Sequence, residues 1–521
     1  MAALPRPFDA RNIGHPLSTL PSNDNSSFDT TPAFDMTYPP GVVGKLAREI
    51  EQMMPYPNRT LAIASAVANI AGLAQRAYLV NGMGVNIFIM SPFETGGGKE
   101  TLITARTRLY DQLIADRPAM SHIREFIGPA SFASEPATYK HMATHPKQMC
   151  VFNEASFLFE QMGTSDQTHS VGKKKALLDL RFKSSAGGKI QPHVHSDDKK
   201  NSNECIMPSL TVHCEGQPER FYQALDELAA EDGLLSRFNI WDATRNYRGP
   251  RNKHMRTEFS DKLISALDPL VAMVGKHIAM PGQIPVWTAV ELSNEAEILL
   301  DKFEQNVSDR LSRKENRLRY NLFNRSHAQG WTLAGLLAIA DNPMAPTVSE
   351  QHMHWALDTV YAERSMLLRK FESGEIGSGS DQRAAQFIRN LKEKFPTSSN
   401  GCLTQLARKN GYVCQRWFND SAKNSLFKSL VGKDTAQLVS EAIGLLINDG
   451  VLTLATPNER DKHGMGGNVY KIDGETLQKR YNLLTANCNH RRKLRRKGCR
   501  KRDLPQPFLF KSIIYSDFLR L

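Results

Sequence analysis

Ile87-Phe-Ile-Met-Ser-Pro-Phe-Glu-Thr-Gly-Gly-Gly-Lys99-Glu-Thr101 is the stretch on which the reading of this chain turns. With Val85 and Asn86 ahead of it, it opens as a short apolar, β-rich run that ends at Met90. A glycine-rich turn follows, and the pattern from Glu100 to Leu113 is helical. Strand, glycine turn and helix start, in that order, make a cradle for phosphate. Glycines let backbone N–H groups curl inward around oxyanions. The helix aims its positive dipole end at the same point. Lys99 adds a full charge that can reach β- and γ-phosphates. Thr95, Gly96, Gly97, Gly98, Lys99, Glu100 and Thr101 are therefore the expected binding residues for a nucleotide, ATP. Two positions depart from G-x-x-x-x-G-K-[ST]: Phe93 stands at the first glycine, and Glu100 replaces the hydroxyl that normally ligates magnesium.

A second element lies about fifty residues on. Cys150-Val-Phe-Asn153-Glu154 is an apolar strand ending in polar residues, where a Walker B strand should end. Glu154 is expected to polarise the attacking water. The usual Asp-Glu pair reads Asn153-Glu154, so position 153 has lost a carboxylate while position 100 has gained one. Mg2+ is expected beside Glu100, Thr101 and Asn153. Either Glu100 supplies the missing charge, directly or through water, or Thr101 provides the hydroxyl by a one-residue shift.

Working outward, Met149–Phe152 and Ser209–His213 are further β-runs, with helical patterns at Glu100–Leu113 and Lys174–Phe182 between strands. Strands alternating with helices predict an α/β fold with a mostly parallel sheet. That fold is a P-loop NTPase of the AAA+ or RecA-like kind, over residues 81–287. Residues 1–37 are poor in apolar side chains and are expected to be disordered. Val43, Leu46, Ile50 and Met53 mark a helix, Thr60–Tyr78 a second, and together they make an N-terminal helical segment over 38–80. Residues 288–373 read as a helical subdomain, including Asn294–Arg313, capped by Ser293 or Asn294, and Met353–Phe371. Gly374–Ser380 reads as a linker.

Residues 381–473 show helices near 382–394, 402–409 and 434–448, then two β-segments, Val451–Ala455 and Asn468–Ile472, around a polar loop at Pro457–Gly467. Helices closed by a β-hairpin form the winged-helix pattern. A helix near 434–448, with Leu438, Ala442 and Leu445 at core spacing, would turn its other face outward. Lys433, Arg460, Lys462 and His463 are the expected phosphate contacts.

The chain of 521 residues carries a net charge of +12, and Arg491–Arg502 alone holds nine basic residues. The basicity thus belongs mainly to a tail, 474–521, suited to phosphate backbones or to plain solvation. No apolar stretch is long enough for a membrane span; the nearest, Leu61–Ala74, reads as a buried helix. The seven cysteines are scattered and never spaced as CxxC, which predicts reduced thiols and a cytoplasmic protein.

Tyr38-Pro-Pro-Gly41-Val-Val, the T-G-x-G-K-E loop at 95–100, the Walker B-like strand, Pro218-Glu-Arg-Phe-Tyr222 and Asp232-Gly-Leu-Leu-Ser-Arg237-Phe together resemble one family. It is the helicase-like P-loop ATPase family of phages, prophages and plasmids, similar to superfamily 3 helicases and to the ATPase half of primase-helicases. The match covers about residues 38–473. The resemblance implies that Arg237 is an arginine finger reaching a neighbouring subunit's nucleotide. It puts a sensor near Glu215–Gln217, where the family prefers small hydroxyl residues, and offers Arg325 as a second sensor. Between the Walker B and sensor strands it implies a DNA-gripping β-hairpin, in the interval that holds Lys183, Lys189, His193, His195, Lys199 and Lys200. Lys189, Lys199 and Lys200, with Arg460 and Lys462, are the expected DNA contacts.

The resulting expectation is an ATP-dependent DNA helicase or translocase acting in replication. Its expected partners are DNA, other copies of itself (six by the family's habit) and a separate primase or initiator. The alternative is a nucleotide-binding, DNA-bound initiator or regulator with weak or no turnover, motivated by Phe93, Glu100 and Asn153. A small-molecule kinase has no use for a winged helix or a basic tail.

Overall fold

The computed structural model describes residues 36–94, 98, 100–115, 117–163, 168–194, 196, 198–225, 227–244, 251–277, 282–312, 317–372, 376, 379–398, 404–422 and 434–481. Thr95, Gly96, Gly97, Lys99, His195 and Lys433, the side chain of Lys200, most of the expected linker, residues 1–35 and the basic run at 491–502 lie outside the described residues.

The chain starts with α1 (Gly41–Met53) and α2 (Arg59–Ala74), passes through β1 (Tyr78–Val80) and β2 (Met83–Gly84), and runs along β3 (Phe88–Pro92) into α3 (Glu100–Ala115). A 3-10 segment leads to α4 (Glu135–Thr144), β4 (Lys147–Phe152), α5 (Ser156–Gly163) and α6 (Thr168–Phe182). Next come β5 (Lys189–Ile190), β6 (Cys205–Ile206), β7 (Ser209–Gly216), α7 (Pro218–Gln223), α8 (Glu227–Glu231) and β8 (Phe238–Ile240). This body ends with α9 (Asp261–Lys276), β9 (Thr288–Leu292), α10 (Asn294–Ser312), α11 (Arg317–Phe323), α12 (Ser326–Asp341), β10 (Thr347–Val348) and α13 (Glu350–Glu372).

Local chemistry accounts for the entry. Val43, Leu46, Ile50 and Met53 all turn inward from α1. Gly41 has φ +70 and a Cβ there would lie 2.0 Å from Asp341 Oδ2. That closeness lets the Asp341 carboxylate accept the Val42 N–H at 2.7 Å, so a residue from the end of α12 caps the positive end of α1. The apolar α2 is buried almost throughout and packs across β3, β4 and β7. It stops at Ala74, and Tyr78, expected in the same helix, is the first residue of β1. Ser293 caps α10, its Oγ accepting the Ala296 N–H at 3.2 Å.

The central sheet has four parallel strands in the order β4-β7-β3-β8. The fold is therefore α/β around a parallel sheet. A second sheet, β10-β9-β1-β2, pairs β1 parallel to β9 and β9 parallel to β10. One hydrophobic core runs from Met36 to Ile376. The boundaries expected at 80/81 and 287/288 fall inside it, where the chain crosses between sheets.

A separate core, Ala384–Leu477, holds the C-terminal module. Its elements are α14 (Gly379–Glu393), α15 (Gln405–Lys409), β11 (Tyr412–Cys414), α16 (Gln415–Ser421), α17 (Thr435–Asn448), β12 (Leu452–Leu454), α18 (Pro457–Lys462) and β13 (Val469–Ile472). The sheet is antiparallel, β11-β13-β12, one strand more than expected. The 457–467 segment is not all loop. Thr456 and Glu459 form a reciprocal capping box that winds 457–462 into a helix. The core face of α17 is Leu438, Val439, Ala442, Ile443 and Leu446, with Leu445 only half-buried. The expectation of reduced thiols fails at Cys414, which is disulfide-bonded. Cys150, Cys205 and Cys214 are free and buried. Sequence separation does not show which cysteines meet in space. No helix among the described residues is long and apolar enough to cross a membrane.

Candidate functional site

All four strands of the central sheet point the same way, so the ends of β3 and β4 lie at one edge. Strand β7 stands between them, which separates the two ends by about 10 Å. Beyond β3, the Phe93 N–H donates to the Gly216 carbonyl at 2.9 Å, and the Phe93 ring is buried in the core. Phe93 therefore anchors the start of the turn instead of lending it a glycine's freedom.

Gly98 has φ +91, and a Cβ there would come within 2.6 Å of Pro55 Cγ. The position demands glycine twice over, through its backbone angle and through Pro55. The Thr101 N–H donates to the Gly98 carbonyl at 3.0 Å and begins the helical bonding. Glu100 is exposed in the first turn of α3, whereas Thr101 is half-buried. The Thr101 Oγ1 lies 3.8 Å from where the Gly98 Cβ would be. Of the two residues weighed for the cation, Thr101 holds its oxygen against the turn.

At β4, register pairs Phe152 with Cys214, and Ser91 of β3 pairs with Glu215. Asn153 thus reaches the level of Glu215. The Ala155 N–H donates to the Glu215 carbonyl at 2.7 Å. Glu154, between them, sits in the left-handed region at φ +55. That conformation costs of order 1–3 kcal/mol in a non-glycine residue and persists only where surrounding bonds impose it. Asn153 and Glu154 border a cleft of about 160 Å³, with Ser131, Thr138 and Lys173 among its other polar walls. The space holds water easily.

Glu215 is the residue whose position the sequence reading undervalued. It is 1% exposed, beside Asn153 and opposite the last turnward residues of β3. Two-residue alternation puts it on the same face as His213 and Thr211. Thr211 pairs with Met149, which lies against Gly72 of α2, and Arg106 of α3 donates to the Met149 carbonyl at 3.2 Å. Glu215 therefore faces the helix layer that begins at the glycine turn. The signal was present: the β7 run does not stop at His213 but continues to Glu215-Gly216.

Neighbouring His213 is fully buried, and its Nε2 shares a hydrogen bond with Ser91 Oγ at 3.2 Å. Burial first, then the nearby Arg106 charge, pushes its pKa down to about 3. In the unfolded chain a histidine titrates near 6.5. Between those values the unfolded chain binds one more proton, so stability is full above about 6.5 and falls by roughly 1.4 kcal/mol per pH unit below it. His213→Asn is expected to remove that increment of slope, as urea midpoints of both proteins measured from pH 7 to pH 4 will show.

Arg237 occupies the opposite edge. It precedes β8, whose Phe238 pairs with Phe88, so it lies about five residues, or ~16 Å, below the level of Pro92. It cannot reach a phosphate on its own chain's glycine turn. Arg325 lines the same cleft as Arg237.

Strands β5 and β6 pair antiparallel and close a hairpin over the basic interval. Lys189 is paired with Glu204 at 3.3 Å, Lys199 is exposed, and His193 stacks on Tyr139 at 4.3 Å. In the C-terminal module Lys462 is exposed, while Arg460 donates to the Gly467 carbonyl at 3.1 Å and braces the loop. His463 is no phosphate contact: it is buried and its ring lies 4.4 Å from that of Tyr412. Helix α17 has no lysine or arginine. Among the described residues no three His, Cys, Asp or Glu side chains form a metal cluster. No protein-family model matches the chain, and neither does any curated protein, so the functional reading rests on this geometry.

Proposed function

We propose that the chain is an oligomeric ATPase of the helicase or translocase type, a DNA motor of a mobile genetic element acting in replication. One observation carries the reading. A glycine turn that tolerates no side chain at Gly98 and a glutamate held left-handed at Glu154 follow the ends of β3 and β4, one strand apart, at the same edge of a parallel sheet. Residues 95–101 would hold Mg-ATP, with Lys99 on the terminal phosphates, Thr101 on the cation and Glu154 orienting water. Glu215 adds a buried carboxylate between them, on the strand next to the one where Asn153 lacks it. Arg237 would serve a second copy's nucleotide. Lys189, Lys199 and Lys200 on the β5–β6 hairpin would meet DNA phosphates.

The test is strand displacement and ATP turnover, with and without single-stranded DNA, comparing wild type with Lys99→Ala. Unwinding that ignores Lys99→Ala would sink the proposal. The other reading, a nucleotide-bound initiator or regulator, is favoured by Asn153, which gives the cation no charge. It predicts ATP binding with no DNA-stimulated turnover.

We read the C-terminal module as a winged helix that grips DNA through its 457–467 segment more than through α17, which carries no cation. Lys462→Ala should weaken duplex binding about equally on all sequences and reduce the salt slope by about 1. Arg460→Ala should act through the brace to Gly467, lowering the module's melting temperature. Filter binding at several salt concentrations, alongside thermal melts, separates the two.

A further inference from the structure

The second cleft of this body is walled by cations. Arg181 at the end of α6, Arg237 before β8 and Arg325 before α12 line one cavity of about 90 Å³, together with Asn81, Ser236 and Trp331. None of the three arginines is in an ion pair among the described residues. Among the described residues the carboxylate that acts on the group is Asp179, which favours the charge on Arg237 and is itself hydrogen-bonded by the Tyr139 hydroxyl at 2.8 Å. Among the described residues no carboxylate offsets the charge of Arg181, which burial, and then Arg325 and Arg237, hold down to about 10. The Trp331 indole N–H is buried and has no hydrogen-bond partner among the described residues. The Arg237 guanidinium is fixed by its bond to the Gly233 carbonyl at 2.9 Å.

Three like charges facing one small space repel each other, and a fold keeps such an arrangement cheaply only if an anion comes there. Guanidinium forks match tetrahedral oxyanions and bond two oxygens at once. We infer that Arg181, Arg237 and Arg325 form a receptor for a phosphate group carrying two negative charges. The group comes either from a nucleotide held on the glycine turn of a second copy or from free phosphate in solution. The first source rests on the function proposed above, and it makes Arg181 and Arg325 partners of Arg237 in reaching across subunits; the second does not need that function at all.

The test has two arms. In the first, Lys99→Ala protein, whose own turn is disabled, is titrated calorimetrically with inorganic phosphate. Binding that weakens at least tenfold in Lys99→Ala/Arg181→Gln and Lys99→Ala/Arg325→Gln supports the receptor with phosphate from solution. In the second, Lys99→Ala chains are mixed with Arg181→Gln chains. ATP turnover above that of either alone supports the receptor acting on another copy's nucleotide. Removing one of three repelling charges should leave each single variant folded, with a melting temperature no lower than the parent's. Variants that bind phosphate as their parent does, and that hydrolyse ATP at the wild-type rate, overturn the proposal. A wild type that hydrolyses no ATP removes the motor reading while the phosphate titration still decides the receptor.

Discussion

Glu154→Gln is expected to lower ATP turnover by about 10²–10⁴-fold while leaving ATP affinity within a few-fold of wild type. Glutamine keeps the side chain's size and can still hydrogen-bond water, but it cannot take a proton from it. The backbone at 154 supplies a control that distinguishes chemistry from folding. Because φ is +55 there, Glu154→Gly relieves a conformation that costs a non-glycine residue of order 1–3 kcal/mol. The glycine variant should therefore be more stable than wild type and just as inactive. Steady-state turnover, nucleotide titration and urea denaturation on the same three proteins make the comparison. A Glu154→Gly protein that retains turnover would remove Glu154 from the chemistry and leave the left-handed residue unexplained by function.

What could be read in advance followed from short-range patterns. The glycine turn between an apolar run and a helix start, the periodicity of Val43, Leu46, Ile50 and Met53, and the alternation of strands with helices are all local properties of the chain. The parallel sheet follows from that alternation. Strand order does not, because it is set by which helices pack over which strands. So the placing of Arg237 at the far edge from its own glycine turn could not be seen until β8 was paired with β3. The same holds for Arg181 and Arg325, more than one hundred residues apart in sequence, which meet only because the end of α6 and the start of α12 come to one place. The burial of Glu215 was missed for a different reason: an acidic residue at a strand end reads as a surface residue until its burial is known. His463 was misread because polarity in a loop suggests exposure, whereas its ring is buried against that of Tyr412.

The largest expected loss of stability belongs to a residue buried behind the arginine cleft, where it holds Gln329 of the cleft wall. Arg364 on α13 is fully buried and donates to the carbonyls of Leu235 and Phe238, both at 2.9 Å, and to Gln329. It also lies 3.2 Å from Glu363, whose carboxylate accepts the Ile240 N–H at 2.7 Å. Burial raises the Glu363 pKa, and the Arg364 charge opposes that rise. Arg364→Leu keeps much of the volume but leaves two buried carbonyls and a buried carboxylate without their cation. Breaking a buried pair from one side costs about 3–5 kcal/mol, so Arg364→Leu should lower the unfolding free energy of this body by that amount, as read from its urea denaturation. The paired change Glu363→Gln/Arg364→Leu, which removes the orphaned charge, should recover part of the loss, and the recovered part measures how much of the cost was charge and how much was the lost carbonyl bonds. Because Arg364 grips the residues on either side of Arg237, the single variant should also loosen the arginine cleft, lowering affinity for inorganic phosphate in the Lys99→Ala background even where the protein remains folded. An unchanged phosphate affinity at temperatures well below the melting point would mean that the segment around Arg237 is held by its own turn, through Gly233, and does not depend on α13.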